Sequence, residues 1–261
     1  MPDLDLPRSV VLALWLAAGR TRATSAAALR GIQVDDEPHD VLDTATGERR
    51  ELAQALAEWT ATDLDVVALL PTPGDAAGVP PSVSDAALTA QEVVLLSSTA
   101  GAHALVPEVS AFGSALEPGH LVTWHLAPVP DWLLPVQALG SLEDADRGLR
   151  RGLTDVTDAL VRLDVAHWDD AHAAQVVALR DAALPTWRLP DRLDAHRARV
   201  LASAARLRAI VDLAARDDGG AVNLWQADQR SAALRDVDRL ARRALAAATL
   251  AGPRAQPSTL R

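Results

Sequence analysis

The chain has 261 residues, 49% hydrophobic and 23% charged, with a formal net charge of −10. That is enough apolar material for a sizeable core, and the acidic balance opposes non-specific binding to nucleic acid or to an anionic membrane surface. Cysteine is absent and all 25 basic residues are arginine, which excludes thiol nucleophiles, disulfides, thiolate metal sites, Schiff-base lysines and phosphate-loop lysines.

Bulk in the core has to come from Leu, Val and seven Trp, because there is one Phe and no Tyr. The first predicted element is a helix over 7–19, with Pro7 in its first turn and Gly19 at its end. It has almost no polar face, so burial on most sides is expected. Its apolar run from Val10 to Ala18 is well short of the roughly 20 residues that span a bilayer. Asp3 and Asp5 stand where a secretion signal needs positive charge, which points to a cytoplasmic protein. A short helix ending near Gly31 follows, then an acidic loop or turn over 34–43. A helix over 47–61 carries Leu52, Leu56 and Trp59 on one stripe.

Residues 64–70 and 92–97 are short continuous apolar runs, the pattern of strands covered on both faces. The Pro- and Gly-rich loop 71–82 and a helix reaching Gln91 lie between them. Strand, loop, helix, strand reads as a crossover, so this pair is expected to be parallel. Strands over 103–109 and 120–127 read as a hairpin. Beyond them the pattern is helical, near 141–164, 167–183, 191–216 and 223–251. Pro185 and Pro190 separate the second from the third of these helices. Residues 217–220, with Gly219 as a helix-ending residue and Asn223 as the next N-cap, separate the third from the fourth. The expected fold is α+β. Residues 1–136 form a small mixed β-sheet of about four strands with N-terminal helices, 137–252 a C-terminal helical bundle, and 253–261 a flexible tail.

Segments along nearly the whole chain, among them LALWLAAGR (12–20), LLPTPGD (69–75), VRLDVAHW (161–168) and ALRDVDRLARRAL (233–245), resemble a set of uncharacterised proteins of high-GC bacteria. The resemblance implies no activity and transfers no site residues.

Few residues carry candidate chemistry. His120 and His125 flank Trp124, but strand alternation puts them on opposite faces, so they cannot ligate one ion from a regular strand. His167 and His172 fall about 140° apart on a helix. No metal and no cofactor is therefore expected. The acidic run Asp35, Asp36, Glu37 and Asp40 lacks calcium-loop spacing and reads as a solvated loop. The loop 71–82 leaves the carboxyl end of a strand, where open sheets bind ligands, yet it lacks a phosphate-loop ending. If a ligand site or an enzyme's pocket exists, Asp75 with His103, Trp124 and His125 would line it. On the last helix, Leu234, Val237, Ala241, Ala244, Leu245 and Ala248 form an apolar face. Arg235, Arg239 and Arg242 form the opposite, partner-facing side, with Asp238 at i, i+4 to Arg242. No catalytic signature emerges. The leading expectation is a non-enzymatic protein acting through contacts with a protein partner or with itself. A small-molecule binder or enzyme comes second, and nucleic-acid contact by arginines third. No membrane association is expected.

Overall fold

The computed structural model of the chain describes residues 3–19, 22–114, 117–162, 175, 178–215 and 224–251. Two compact units interleave along the sequence: one comprises Met1–Leu6, Leu139–Pro185 and Asp194–Ala248, the other Pro7–Ala138, Thr186–Leu193 and the chain from Thr249 onward.

The second unit holds a mixed sheet of six strands: β1 (Asp40–Asp43), β2 (Arg49–Glu51), β3 (Asp65–Leu69), β4 (Val93–Ser98), β5 (Gly101–Gly113) and β6 (Pro118–Pro128). Their order is β2-β1-β6-β5-β4-β3. Six strands replace the expected four because β1 and β2 lie in the stretch read as an acidic loop and as the start of the 47–61 helix. β1 is only Asp-Val-Leu-Asp, too short to show a period, and β2 is all charged. The helix that follows, α3, starts only at Leu52 and ends at Trp59.

The pairing of β3 with β4 also departs from expectation. It is antiparallel, Leu69 opposite Val93 and Asp65 opposite Ser97. The intervening helix α4 is Ser84–Ala90, 7 residues, or about 10 Å at 1.5 Å per residue. It is too short to carry the chain back along β3, so loop and helix return to the end they left. The parallel neighbours are β1 and β6 instead, Val41 opposite Trp124.

Helix α1 (Arg8–Ala18) buries every residue from Ser9 to Leu16 and begins after Pro7, with Gly19 at φ 66° closing it. It packs on β3 and β4, and α2 (Arg22–Gln33) packs on α1 and α3. The segment 186–193 belongs to this unit. Arg188 is buried there, its Nε donating to Gly31 O at 3.0 Å while its own carbonyl accepts from Trp15 Nε1 at 2.8 Å. The short α5 (Leu133–Val136) follows β6, and Trp132 just before it donates to Leu96 O at 3.3 Å.

The first unit is helical: α6 (Leu142–Arg162), α7 (Ala195–Ala215) and α8 (Leu224–Thr249). Gly152 on α6 faces Leu240 on α8 so closely that a Cβ there would lie 2.0 Å from Leu240 Cδ1. The N-terminal segment joins this unit through Leu4 N donating to Ala183 O at 2.8 Å. Residues 167–172, the glycine break at 217–220 and the tail 253–261 lie outside the described residues. Among the described residues no helix is long and apolar enough to cross a membrane.

Candidate functional site

The polar centre of the sheet unit is a chain of side chains running from α1 to β6. Arg8 forks onto Asp36, Nε to Oδ2 at 2.8 Å and Nη2 to Oδ1 at 3.0 Å. His39 Nε2 lies 3.1 Å from Asp36 Oδ2, and Trp124 Nε1 donates to His39 Nδ1 at 3.2 Å. Because an indole N–H can only donate, Nδ1 must be the bare nitrogen and Nε2 the protonated one, donating to the carboxylate. His120 Nδ1 reaches Asp36 Oδ1 at 3.3 Å from the exposed side.

Both His39 and Trp124 are fully buried, at 0% exposure. Burial comes first in holding His39 below 6.5, against the opposing pull of Asp36. At Asp36 burial pushes upward, but Arg8 and then His39 outweigh it and hold the carboxyl below 3.8. The result is a neutral imidazole with both nitrogens engaged and no solvent access. Such a group is a pin between elements, unable to take a proton from a substrate.

The residues picked out by sequence are not assembled into one pocket. Trp124 is this buried donor. Neighbouring positions on a strand face opposite ways, so His125 is on the other side of the sheet, where its Nε2 meets Glu108 Oε2 at 2.7 Å. His103 pairs with Pro128 and hence shares the face of Leu126 and Trp124. There it assists the Ala45 and Thr46 N–H groups, the larger cause, in lowering the pKa of Asp43. Asp75 closes a tight turn: it and Thr72 exchange backbone bonds at 2.8 and 3.0 Å, and Asp75 Oδ1 accepts from Ala77 N at 3.1 Å. That loop leaves the Leu69–Val93 end of the sheet, whereas His103 is opposite Leu96, toward the other end.

The expected solvated acidic loop thus contains the network's two central residues, Asp36 and His39. One signal for them was available: a buried Trp needs an acceptor for its N–H. Among the described residues no group of three or more His, Asp or Glu side chains could hold a metal ion.

The other feature is the far half of the β5–β6 hairpin. β4 pairs with β5 only over Gly101–Leu105, and β1 with β6 only over Thr123–Leu126. Residues 106–113 and 118–122 continue as a two-stranded arm. Here the only Phe of the chain, Phe112, is 45% exposed and Leu121 52%. Ser110 is opposite Leu121 and Phe112 opposite Gly119, so Phe112 and Leu121 are diagonal neighbours on one face. The Phe112 ring lies over Gly119, where a Cβ would come within 2.4 Å of it. Val109, on the other face, is exposed as well.

On α8, Arg235 and Arg239 are exposed, Arg239 being bonded to Asp236 at 3.0 Å. Arg242 corrects the expected partner-facing set: it is 5% exposed, its Nε 2.6 Å from Asp238 Oδ2, with Arg208 Nε 3.5 Å from the other oxygen of that carboxylate. Residues 244–249 at the end of α8 are all buried, whereas Arg243 just before them is exposed.

Residues 9–138 match the family model described as Rv1486c-like protein, N-terminal domain, and residues 143–246 match Rv1486c-like protein, C-terminal domain. Neither a curated protein nor a solved structure matches the chain.

Proposed function

The chain belongs to the Rv1486c-like protein family, and on that footing we propose that it is a non-enzymatic cytoplasmic protein that works through protein–protein contacts made by the β5–β6 arm. The carrying observation is the arm itself. The chain's one Phe is held out on a two-stranded ribbon, beside Leu121, with Val109 behind. A two-stranded ribbon is marginal in water without a further strand or a packed face, and an aromatic on a rigid strand is the usual anchor of a protein interface.

What supports the non-enzymatic part of the reading is how the described histidines of the sheet unit are used. The histidine that is best positioned by neighbours is sealed and fully hydrogen-bonded, and His103 and His125 are on opposite faces of the sheet.

Replacing Phe112 and Leu121 together by Ser tests the reading. Exposed substitutions of this kind shift stability by roughly half a kcal/mol. The expected outcome is a folded protein that no longer associates, with itself or with a protein retained from a lysate by the unaltered chain. Undiminished association by the double variant would rule out the arm.

A further inference from the structure

We propose, resting on the contact reading of the arm, that the outer edge of β5 pairs with the same edge of a second copy of this chain, antiparallel and two-fold about Ser110. The direction of the backbone groups carries the first step. Glu37 donates to His120 O at 3.0 Å and Thr44 to Leu126 O at 2.9 Å, so the even-numbered residues of β6 turn their backbone groups away from β5. The odd-numbered ones face it. With Thr123 opposite Glu108 and Leu121 opposite Ser110, the groups of Glu108, Ser110 and Phe112 point to β6, and those of Pro107, Val109 and Ala111 point outward. Among the described residues no backbone group meets them there.

The other edges are closed. Along β3, Val66 and Ala251 exchange bonds at 2.9 and 3.0 Å, and Ala68 N donates to Thr249 Oγ1 at 2.9 Å. At the opposite edge β2 is 3 residues, Arg-Arg-Glu, short and charged in the manner that discourages strand addition. The outer side of β6 is covered at His120 by Glu37. Pro107 is buried and α4 packs against β5, so the open pairing surface is the exposed stretch beyond Pro107, from Glu108 to Gly113.

Charge and register then select the occupant. Two chains of net charge −10 repel, so they must meet where charge is low. Between Pro107 and Gly113 the one charged side chain is Glu108, and His125 already bonds it. A two-fold axis at Ser110 sets Val109 against Ala111 of the copy, each offering an N–H and a C=O. It sets Glu108 against Phe112, so that no like charges oppose each other. The pairing ends short of Pro107, which is buried and has no N–H to offer a further strand. Phe112 and Leu121 of both copies then form one apolar face over a four-stranded ribbon, which supplies the strands that the isolated arm lacks.

The absence of native cysteine makes the register testable. Ser110 would sit opposite itself in a non-hydrogen-bonded pair, with Cα atoms about 4.5 Å apart, within disulfide reach. Ser110→Cys is expected to oxidise to a covalent dimer far faster than Ala111→Cys, whose thiol would face Val109. Sedimentation equilibrium of the unaltered chain should show a reversible dimer, and Ala111→Pro, which removes an outward N–H, should shift it to monomer with an unchanged circular dichroism spectrum. A monomeric unaltered chain, or equal cross-linking of the two cysteine variants, overturns the self-pairing. If Ala111→Pro then also loses a different protein that the unaltered chain retains, the contact reading survives without the second copy. If it loses nothing, both fall.

Discussion

His39 contributes through what it touches. Its ring links Asp36, and through it Arg8, to Trp124. Trp124→Phe would keep most of the apolar bulk and remove the donor, leaving the His39 nitrogen buried and unpaired. An orphaned buried polar group costs about 1–3 kcal/mol, so the denaturant midpoint should fall by that equivalent. The network also sets a pH response. His39 is lowered from 6.5 in the fold, so as pH falls the unfolded chain takes up its proton first. Its contribution is present above 6.5 and is lost as pH falls through the folded value. Asp36, lowered from 3.8, adds a loss of the same sign in more acidic solution. Melting temperature should therefore drop from pH 7 to pH 5, and His39→Gln, though less stable throughout, should drop less over that interval; equal slopes would remove His39 from the explanation. At Gly31 a Cβ would stand 2.6 Å from the Arg188 carbonyl oxygen and 3.0 Å from Trp15 Nε1. Gly31→Ala should cost about 1–3 kcal/mol by overpacking, read from denaturant midpoints. Beyond the need of a buried Trp for an acceptor, the sequence carries no sign of which residues partner one another here. Asp36 and His39 are a local pair, but Arg8 and Trp124 are distant in the chain, and Trp124 reaches His39 only once β1 has paired with β6.

Elements were legible in proportion to their period. The long helices α7 and α8 stand where their apolar spacing placed them, and the four apolar strands overlap the runs that announced them, β5 and β6 extending past theirs at both ends. β1 and β2 were not, because a four-residue strand is too short to show a period and the three residues of β2 are all charged. α8 also shows where periodicity misleads. Ala241, Ala244, Leu245 and Ala248 are buried as the stripe requires, but Ala246 and Ala247 are buried too, and so is Arg242, bonded to Asp238. Three substitutions separate the faces. Ala244→Leu forces bulk into a filled contact and should cost about 1–3 kcal/mol. Arg239→Ala, on the exposed side, should change stability by roughly half a kcal/mol or less. Arg242→Ala removes a partly buried charged hydrogen bond and should cost about 1.5–3 kcal/mol. Chemical denaturation ranks all three; if Arg239→Ala proves the most damaging, the faces of α8 are reversed.

The two units are woven together in sequence, with residues 1–6 joining the helical unit and 186–193 the sheet unit. Composition could not show this, since the exchanged segments are short and irregular. What composition did show was economy: one Phe in 261 residues, and the fold holds it out on an arm whose outer edge is unpaired. Amide hydrogen exchange along that arm, resolved residue by residue by NMR over a dilution series, bears most directly on its role. The Ser110 and Phe112 amides, turned toward β6, should exchange slowly at every concentration. Those of Val109 and Ala111, turned outward, should be fast when dilute and slow as the protein is concentrated. If the Val109 and Ala111 amides exchange at one unchanging rate across the whole series, nothing pairs with that edge and the arm is not where copies of this protein meet.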